Sequence, residues 1–168
     1  MKPAGSLVCV GIGMTLGAHL TPLARDHIQN ADVVFTGLSD GIIEMWIARM
    51  NGDVRSLQSL YREGKSRMQT YREMVEAMLT EVRAGKRVCA AFYGHPGVFA
   101  WPTHKAIETA RSEGYAAHME PGVSAVDCMY ADLGFAPGKY GCQHYQASQF
   151  MFNRPGLHTA GYLLLWRG

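Results

Sequence analysis

The sequence predicts an α/β fold: a mostly parallel sheet flanked by helices. Two observations point there: short β-rich apolar runs alternate with longer stretches of helical periodicity, and the turns between them carry glycine and proline. A third is composition, since nearly half of the 168 residues are apolar, 19 are glycine and only 18% are charged. That balance suits a compact, well-cored domain rather than a disordered chain.

The elements follow in order. Residues 7–10 read as a first strand running into Gly11-Ile12-Gly13, and residues 20–30 as a helix with Pro22 in its first turn. Residues 32–35 read as a buried strand, 40–50 as a helix, and 53–60 as the place of a short strand. A polar stretch fills 61–69. Tyr71, Met74, Val75, Met78, Leu79 and Val82 then recur at helical spacing, with Gly85 as the stop. Residues 87–92 form a strand ending in the loop 93–97, residues 103–113 a helix closed by Gly114, and 115–119 a strand. Pro121-Gly122-Val123-Ser124 leads into a helix ending near Leu133. Turn-rich residues follow, then a short run at 142–145 and a last apolar strand at 162–166. An apolar strand needs partners on its faces and edge. The expected division is therefore a cofactor-binding domain over 1–157, with 158–168 opening a second domain that is otherwise absent.

The formal charge of +2 is spread along the chain without a dense Lys/Arg run, so neither nucleic acid nor a membrane is expected as partner. Cys9, Cys89, Cys128 and Cys142 lie far apart, with no zinc-type spacing and no implied disulfide framework. No signal core and no membrane-length apolar run stands in the sequence, so a reduced, cytoplasmic protein is the expectation.

Three strand-ending loops are candidate ligand sites. Gly11-Ile12-Gly13 could be a nucleotide loop or a tight turn; Gly17 falls one residue too far for a G-x-G-x-x-G fingerprint. The loop from Tyr93 to Phe99 sets two glycines and a proline at the end of a buried strand, where ligands bind in open α/β sheets, with Tyr93 and His95 offering polar groups. The third is Pro121-Gly122-Val123-Ser124-Ala125, with Ser124 a good helix cap. His95 has no second ligand at suitable spacing, so it reads as a hydrogen-bonding residue and no metal is expected.

Taken in order, Val10-Gly11-Ile12-Gly13, Ala31-Asp32-Val33-Val34, the Gly-x-Pro-Gly-Val of the central loop and Pro121-Gly122-Val123-Ser124 resemble the tetrapyrrole methylase superfamily. The fold this implies is the N-terminal α/β domain of a two-domain enzyme that holds S-adenosylmethionine in a cleft. His95 stands where most members have aspartate. Phe92-Tyr93-Gly94-His95-Pro96-Gly97-Val98-Phe99-Ala100, Tyr130-Ala131-Asp132-Leu133 and Ala147-Ser148-Gln149-Phe150 resemble the borosin enzymes, which methylate peptide backbone amides.

That resemblance implies an N-methyltransferase acting on a ribosomal precursor peptide, working as a homodimer and releasing S-adenosylhomocysteine. It implies cofactor contacts at Tyr93, His95, Val98 and Ala125, beside Ser124. It also implies one at Arg167, where the family has glutamine. Tyr61, Arg67, Tyr71 and Tyr93 would form the catalytic group. Two further readings stay open: methylation of a tetrapyrrole or other small molecule, and an incomplete or inactive domain that binds cofactor or a partner.

The chemistry makes demands of its own. Methyl transfer from a sulfonium needs the nucleophile aligned with the methyl group. An amide nitrogen shares its lone pair with the carbonyl, so a base is needed, and a phenol with a pKa of about 10 is mostly protonated at neutral pH. A cation favours the phenolate. Arg67 and Tyr71 are four apart and would share a face if the helix reaches back to Arg67. Tyr71 is then the leading base, assisted by Arg67, with Tyr61 orienting the peptide; Tyr71 also lies on the apolar stripe, where an aromatic serves as core.

Overall fold

The computed structural model describes residues 4–166. Contacts divide the chain into a unit ending at Ala125 and a unit beginning at Val126. The first holds a five-stranded sheet of β1 (Ser6–Gly11), β2 (Val33–Gly37), β3 (Val54–Ser56), β4 (Arg87–Phe92) and β5 (Ala116–Met119). Its order is β3-β2-β4-β1-β5, and every neighbouring pair is parallel. The predicted α/β class is the observed one.

Helices cover both faces. On one side α1 (Pro22–Asn30) and α2 (Gly41–Ala48) bury Ala24, Ile28 and Ile47 against Val10, Val34, Cys89 and Ala91. On the other, α3 (Arg67–Arg83) and α4 (Trp101–Ser112) bury Met74, Met78, Val82, Ala106 and Ile107 against Leu7, Cys9, Phe35, Val88 and Ala90. Successive strand residues point to opposite faces, so each central strand feeds both clusters and must be apolar throughout. Thr21 caps α1 by accepting from the Ala24 N–H, and Ser66 caps α3 by accepting from the Gln69 N–H.

The clearest sequence prediction, the helix through Tyr71 and Val82, is α3, but it starts at Arg67 rather than after Gln69. Ser66 supplies the cap that sets this start. The expected strand within 53–60 is three residues long and gives way to a 3-10 turn, Leu57–Leu60.

The second unit contains α5 (Ala125–Leu133, opening at the boundary), α6 (Pro137–Tyr140), β6 (Cys142–Gln146), α7 (Ala147–Asn153) and β7 (Tyr162–Trp166), with β6 and β7 paired in parallel. Its interior is aromatic: the Phe135 ring lies 4.4 Å from Tyr162 and 5.2 Å from Tyr130. Helices α6 and α7 were not legible as periodicity, being four and seven residues long. All four cysteines are free, and burial pushes the Cys89 thiol up to about 12, as for an inert core thiol. Among the described residues no helix is long and apolar enough to cross a membrane.

Candidate active site

The connections decide where a crevice forms. The chain leaves β1 and β2 for the α1/α2 face, but leaves β3 and β4 for the α3/α4 face. Strand β4 lies between β1 and β2, so adjacent loops part in opposite directions on both of its sides. These are the switch points at which open α/β sheets bind ligands, at the carboxyl ends of the strands. Phe92 ends β4 with Gly11 opposite it on one side and Gly37 on the other.

On the β1 side the crevice is built from backbone. The Gly13 N–H donates to the Gly94 carbonyl at 3.2 Å, and the Gly94 N–H returns the bond to Gly13 at 3.0 Å. Gly122 closes in from the end of β5. A Cβ on Gly11 would stand 2.2 Å from the Gly94 carbonyl oxygen, and one on Gly122 would stand 2.6 Å from that same atom. Only hydrogen fits at either place.

The central loop is anchored at several points. The buried Thr103 hydroxyl lies 2.5 Å from the Pro96 carbonyl and 2.8 Å from that of Ala100. His95 Nδ1 accepts from the Gly97 N–H at 2.9 Å, and His104 Nε2 lies 2.8 Å from the Gly97 carbonyl. His95 thus does what a short acceptor side chain would do here, holding the loop's own turn. Its companions stand open: Tyr93 and Val98 are exposed, with the Tyr93 hydroxyl reaching the Met14 carbonyl at 3.3 Å. Ser124 is buried, and half-buried Ala125 opens α5. Arg167 lies outside the described residues.

On the β2 side the site is built from side chains. A cavity of about 150 Å³ is lined by Tyr61, Tyr71, Gln58, Phe92, Phe99 and Ala100, among others. Tyr71 stacks on Trp101, ring centroids 6.3 Å apart and 18° between planes. Tyr61 and Tyr71 both line this cavity, close enough for their phenols to influence one another. Burial, then the neighbouring Tyr71, pushes the Tyr61 phenol above its usual range, and Arg67 only partly offsets this. Tyr61 therefore keeps its proton and can donate it to the Tyr71 oxygen.

The structure thus brings Tyr61 and Tyr71 together, places Arg67 one helical turn from Tyr71 at the exposed start of α3, and sets Tyr93 over the β1 side instead. Sequence reasoning missed Trp101 and Thr103, and took Phe99 only as the end of the central loop. Phe99 adopts φ +52, unusual for a non-glycine residue. A local signal for Trp101 existed: it directly precedes Pro102, a proline suited to a first helical turn.

Residues 6–167 match the family described as Tetrapyrrole (Corrin/Porphyrin) Methylases. The chain is 48% identical over 165 residues to a methyltransferase/ribosomally synthesized type I borosin cyclic peptide precursor of Coprinopsis marcescibilis, covering 98% of this chain and 42% of that protein. It is 43% identical over 164 residues to the methyltransferase/ribosomally synthesized omphalotin A precursor of Omphalotus olearius, covering 98% and 39%. The chain spans about two fifths of the length of these relatives. Among solved structures, uroporphyrin-III-C-methyltransferase from Thermus thermophilus shares the fold with a TM-score of 0.68 at 21% identity, covering 98% of this chain and 68% of that one.

Proposed function

The chain belongs to the tetrapyrrole (corrin/porphyrin) methylase family, and from that premise we propose that it transfers methyl groups from S-adenosylmethionine to backbone amide nitrogens of a ribosomal precursor peptide. Two relatives that match nearly all of this chain carry names of methyltransferase/ribosomally synthesized cyclic peptide precursors, one of them a type I borosin. The observation that carries the reading is the Tyr61–Tyr71 pair, which lines the same cavity as Phe99 and Ala100 of the central loop.

The residues on the β1 side suit the donor. Glycines leave the backbone bare at the strand ends, and Tyr93 and Val98 stand exposed beside them. His95 holds that loop in shape, while Ser124 and Ala125 follow β5 by way of the Pro121-Gly122 turn. Arg167 is assigned there by resemblance alone. When bound, S-adenosylmethionine supplies an electrophilic methyl on a sulfonium and departs as S-adenosylhomocysteine.

The protein's own task is to prepare the amide. Tyr71 accepts the amide proton, freeing the nitrogen pair for the new N–C bond. Tyr61 donates to the Tyr71 oxygen and spreads the charge of its phenolate. Arg67 adds a cation from the start of α3 and can hydrogen-bond the substrate carbonyl, favouring the imidate-like amide. Trp101 holds the Tyr71 ring in place. The active assembly is a homodimer in the cytoplasm, with the precursor peptide as its partner.

Mass spectrometry of a candidate precursor peptide incubated with the protein and S-adenosylmethionine tests this. The expected result is a series of gains of about 14 mass units located on backbone amides, lost in Tyr71→Phe and reduced in Arg67→Ala. Methylation of a tetrapyrrole with the peptide untouched would overturn the substrate assignment. Absence of S-adenosylhomocysteine binding would overturn the enzyme assignment as a whole.

A further inference from the structure

Away from both sides of β4, at the sheet edge formed by β5, three metal-binding side chains meet. His27 comes from α1, His118 from β5 and Glu120 from just beyond β5. Their donor atoms all lie within 4.8 Å of one another. From Glu120 Oε1, His118 Nε2 is 3.1 Å away and His27 Nε2 is 3.6 Å away. The two imidazoles meet edge to face, centroids 5.6 Å apart.

The placement is fixed by the fold. His118 sits opposite Val8 in the β1–β5 ladder, and the Glu120 N–H donates to the Cys9 carbonyl at 2.9 Å. Residues 118 and 120 are two apart on extended backbone, so both side chains leave the sheet on the α1 side. His27 meets them from the last turn of α1. Nothing in the sequence spacing announces this, because the third ligand comes from a distant helix.

One detail cannot be explained by packing. His27 Nε2 is shut off from solvent and has no hydrogen-bond partner among the described residues. A buried polar atom left unsatisfied destabilises the fold. Glu120 is already engaged by His118, and the 3.6 Å to His27 is too long for a hydrogen bond. A cation placed among the three atoms would satisfy all of them together. With metal–ligand bonds of about 2.1 Å, tetrahedral geometry sets neighbouring donors about 3.4 Å apart. The observed 3.1 and 3.6 Å separations bracket that value.

We propose that His27, His118 and Glu120 form a binding site for a divalent transition-metal ion of the zinc class. Two imidazoles and a carboxylate are the borderline donor set such ions favour. The His118 side chain is 51% exposed, so the fourth position opens to water. A metal bound here ties α1 to β5 directly before Pro121-Gly122, the loop whose Gly122 packs on the central loop. Its first effect is to stabilise that end of the crevice.

Calorimetric titration of chelator-treated protein with Zn²⁺, with Co²⁺ visible absorption as a second readout, tests the site. Expected are one equivalent bound, a Co²⁺ spectrum of tetrahedral type, and a Zn²⁺-dependent rise in melting temperature. His118→Ala and Glu120→Ala, confirmed folded by their metal-free melts, should each weaken binding at least tenfold. His158→Ala, an exposed histidine of the second unit, should bind as the unaltered protein does. No saturable binding, or His118→Ala binding as tightly as the unaltered protein, would overturn the proposal.

Discussion

The two sides of β4 solve the same problem with different materials. Towards β1 the walls are backbone: glycines at 11 and 122 close on the Gly94 carbonyl at distances that leave no room for a Cβ. Towards β2 the walls are side chains: two tyrosines and two phenylalanines around about 150 Å³, with Trp101 stacked on one of the tyrosines. A backbone wall is rigid, because moving it breaks main-chain hydrogen bonds. A side-chain wall can be retuned one group at a time. The first suits an invariant ligand such as a methyl donor, and the second a variable substrate.

If the difference is real, damage on the β1 side should be severe and structural. Gly11→Ala drives a methyl group against the Gly94 carbonyl and should cost about 2 kcal/mol or more. It should also weaken S-adenosylhomocysteine binding at least tenfold by calorimetry. A variant that melts and binds like the parent would break the comparison.

Damage on the β2 side should be chemical. Tyr71→Phe keeps the ring on Trp101 and removes only the hydroxyl. Peptide methylation is expected to fall about 10²–10⁴-fold, the usual span for a lost general base. S-adenosylhomocysteine affinity should stay within about twofold, since the donor is proposed for the other side; loss of that affinity would merge the two sides into one.

A third substitution probes the loop they share. Thr103→Val removes the hydroxyl between the Pro96 and Ala100 carbonyls, and about 1–3 kcal/mol of stability should go with it. Both cofactor affinity and methylation should decline modestly together. Decline of one without the other would show that the loop moves in two independent parts.

The smallest effect is expected at the opposite end of the sheet. There the Arg87 side chain and backbone N–H hold the Asp32 carboxyl down at about 2. A carboxyl depressed on folding stabilises above its unfolded value of about 3.9, and that contribution is lost as pH falls through the folded one. Asp32→Asn should therefore flatten the acid dependence of the melting temperature between about pH 4 and pH 2. It should leave cofactor binding and methylation at neutral pH unchanged.

The β1 side was legible in the sequence because glycine and proline at strand ends carry meaning residue by residue. The β2 side was legible only through resemblance. Tyr71 follows the apolar stripe of α3, and periodicity cannot separate a core aromatic from a catalytic one; in the structure it packs on the core and faces the cavity as well. Trp101 was marked by Pro102 only as a helix start, because its contact with Tyr71 joins two helices separated by a strand. The balance at Tyr61 likewise differs from simple charge reasoning, since burial outweighs Arg67. The His27–His118–Glu120 cluster depends on ladder register, which spacing along the chain does not encode.

Thr103 makes the central loop a lever with its pivot inside the protein. Its hydroxyl grips the loop midway, and the two arms extend to opposite sides of β4: Tyr93 and Gly94 over one, Phe99 and Ala100 over the other. A ligand pressing on one arm would be felt at the other only as far as this grip makes the loop move as one piece, and the Thr103→Val variant reads that directly.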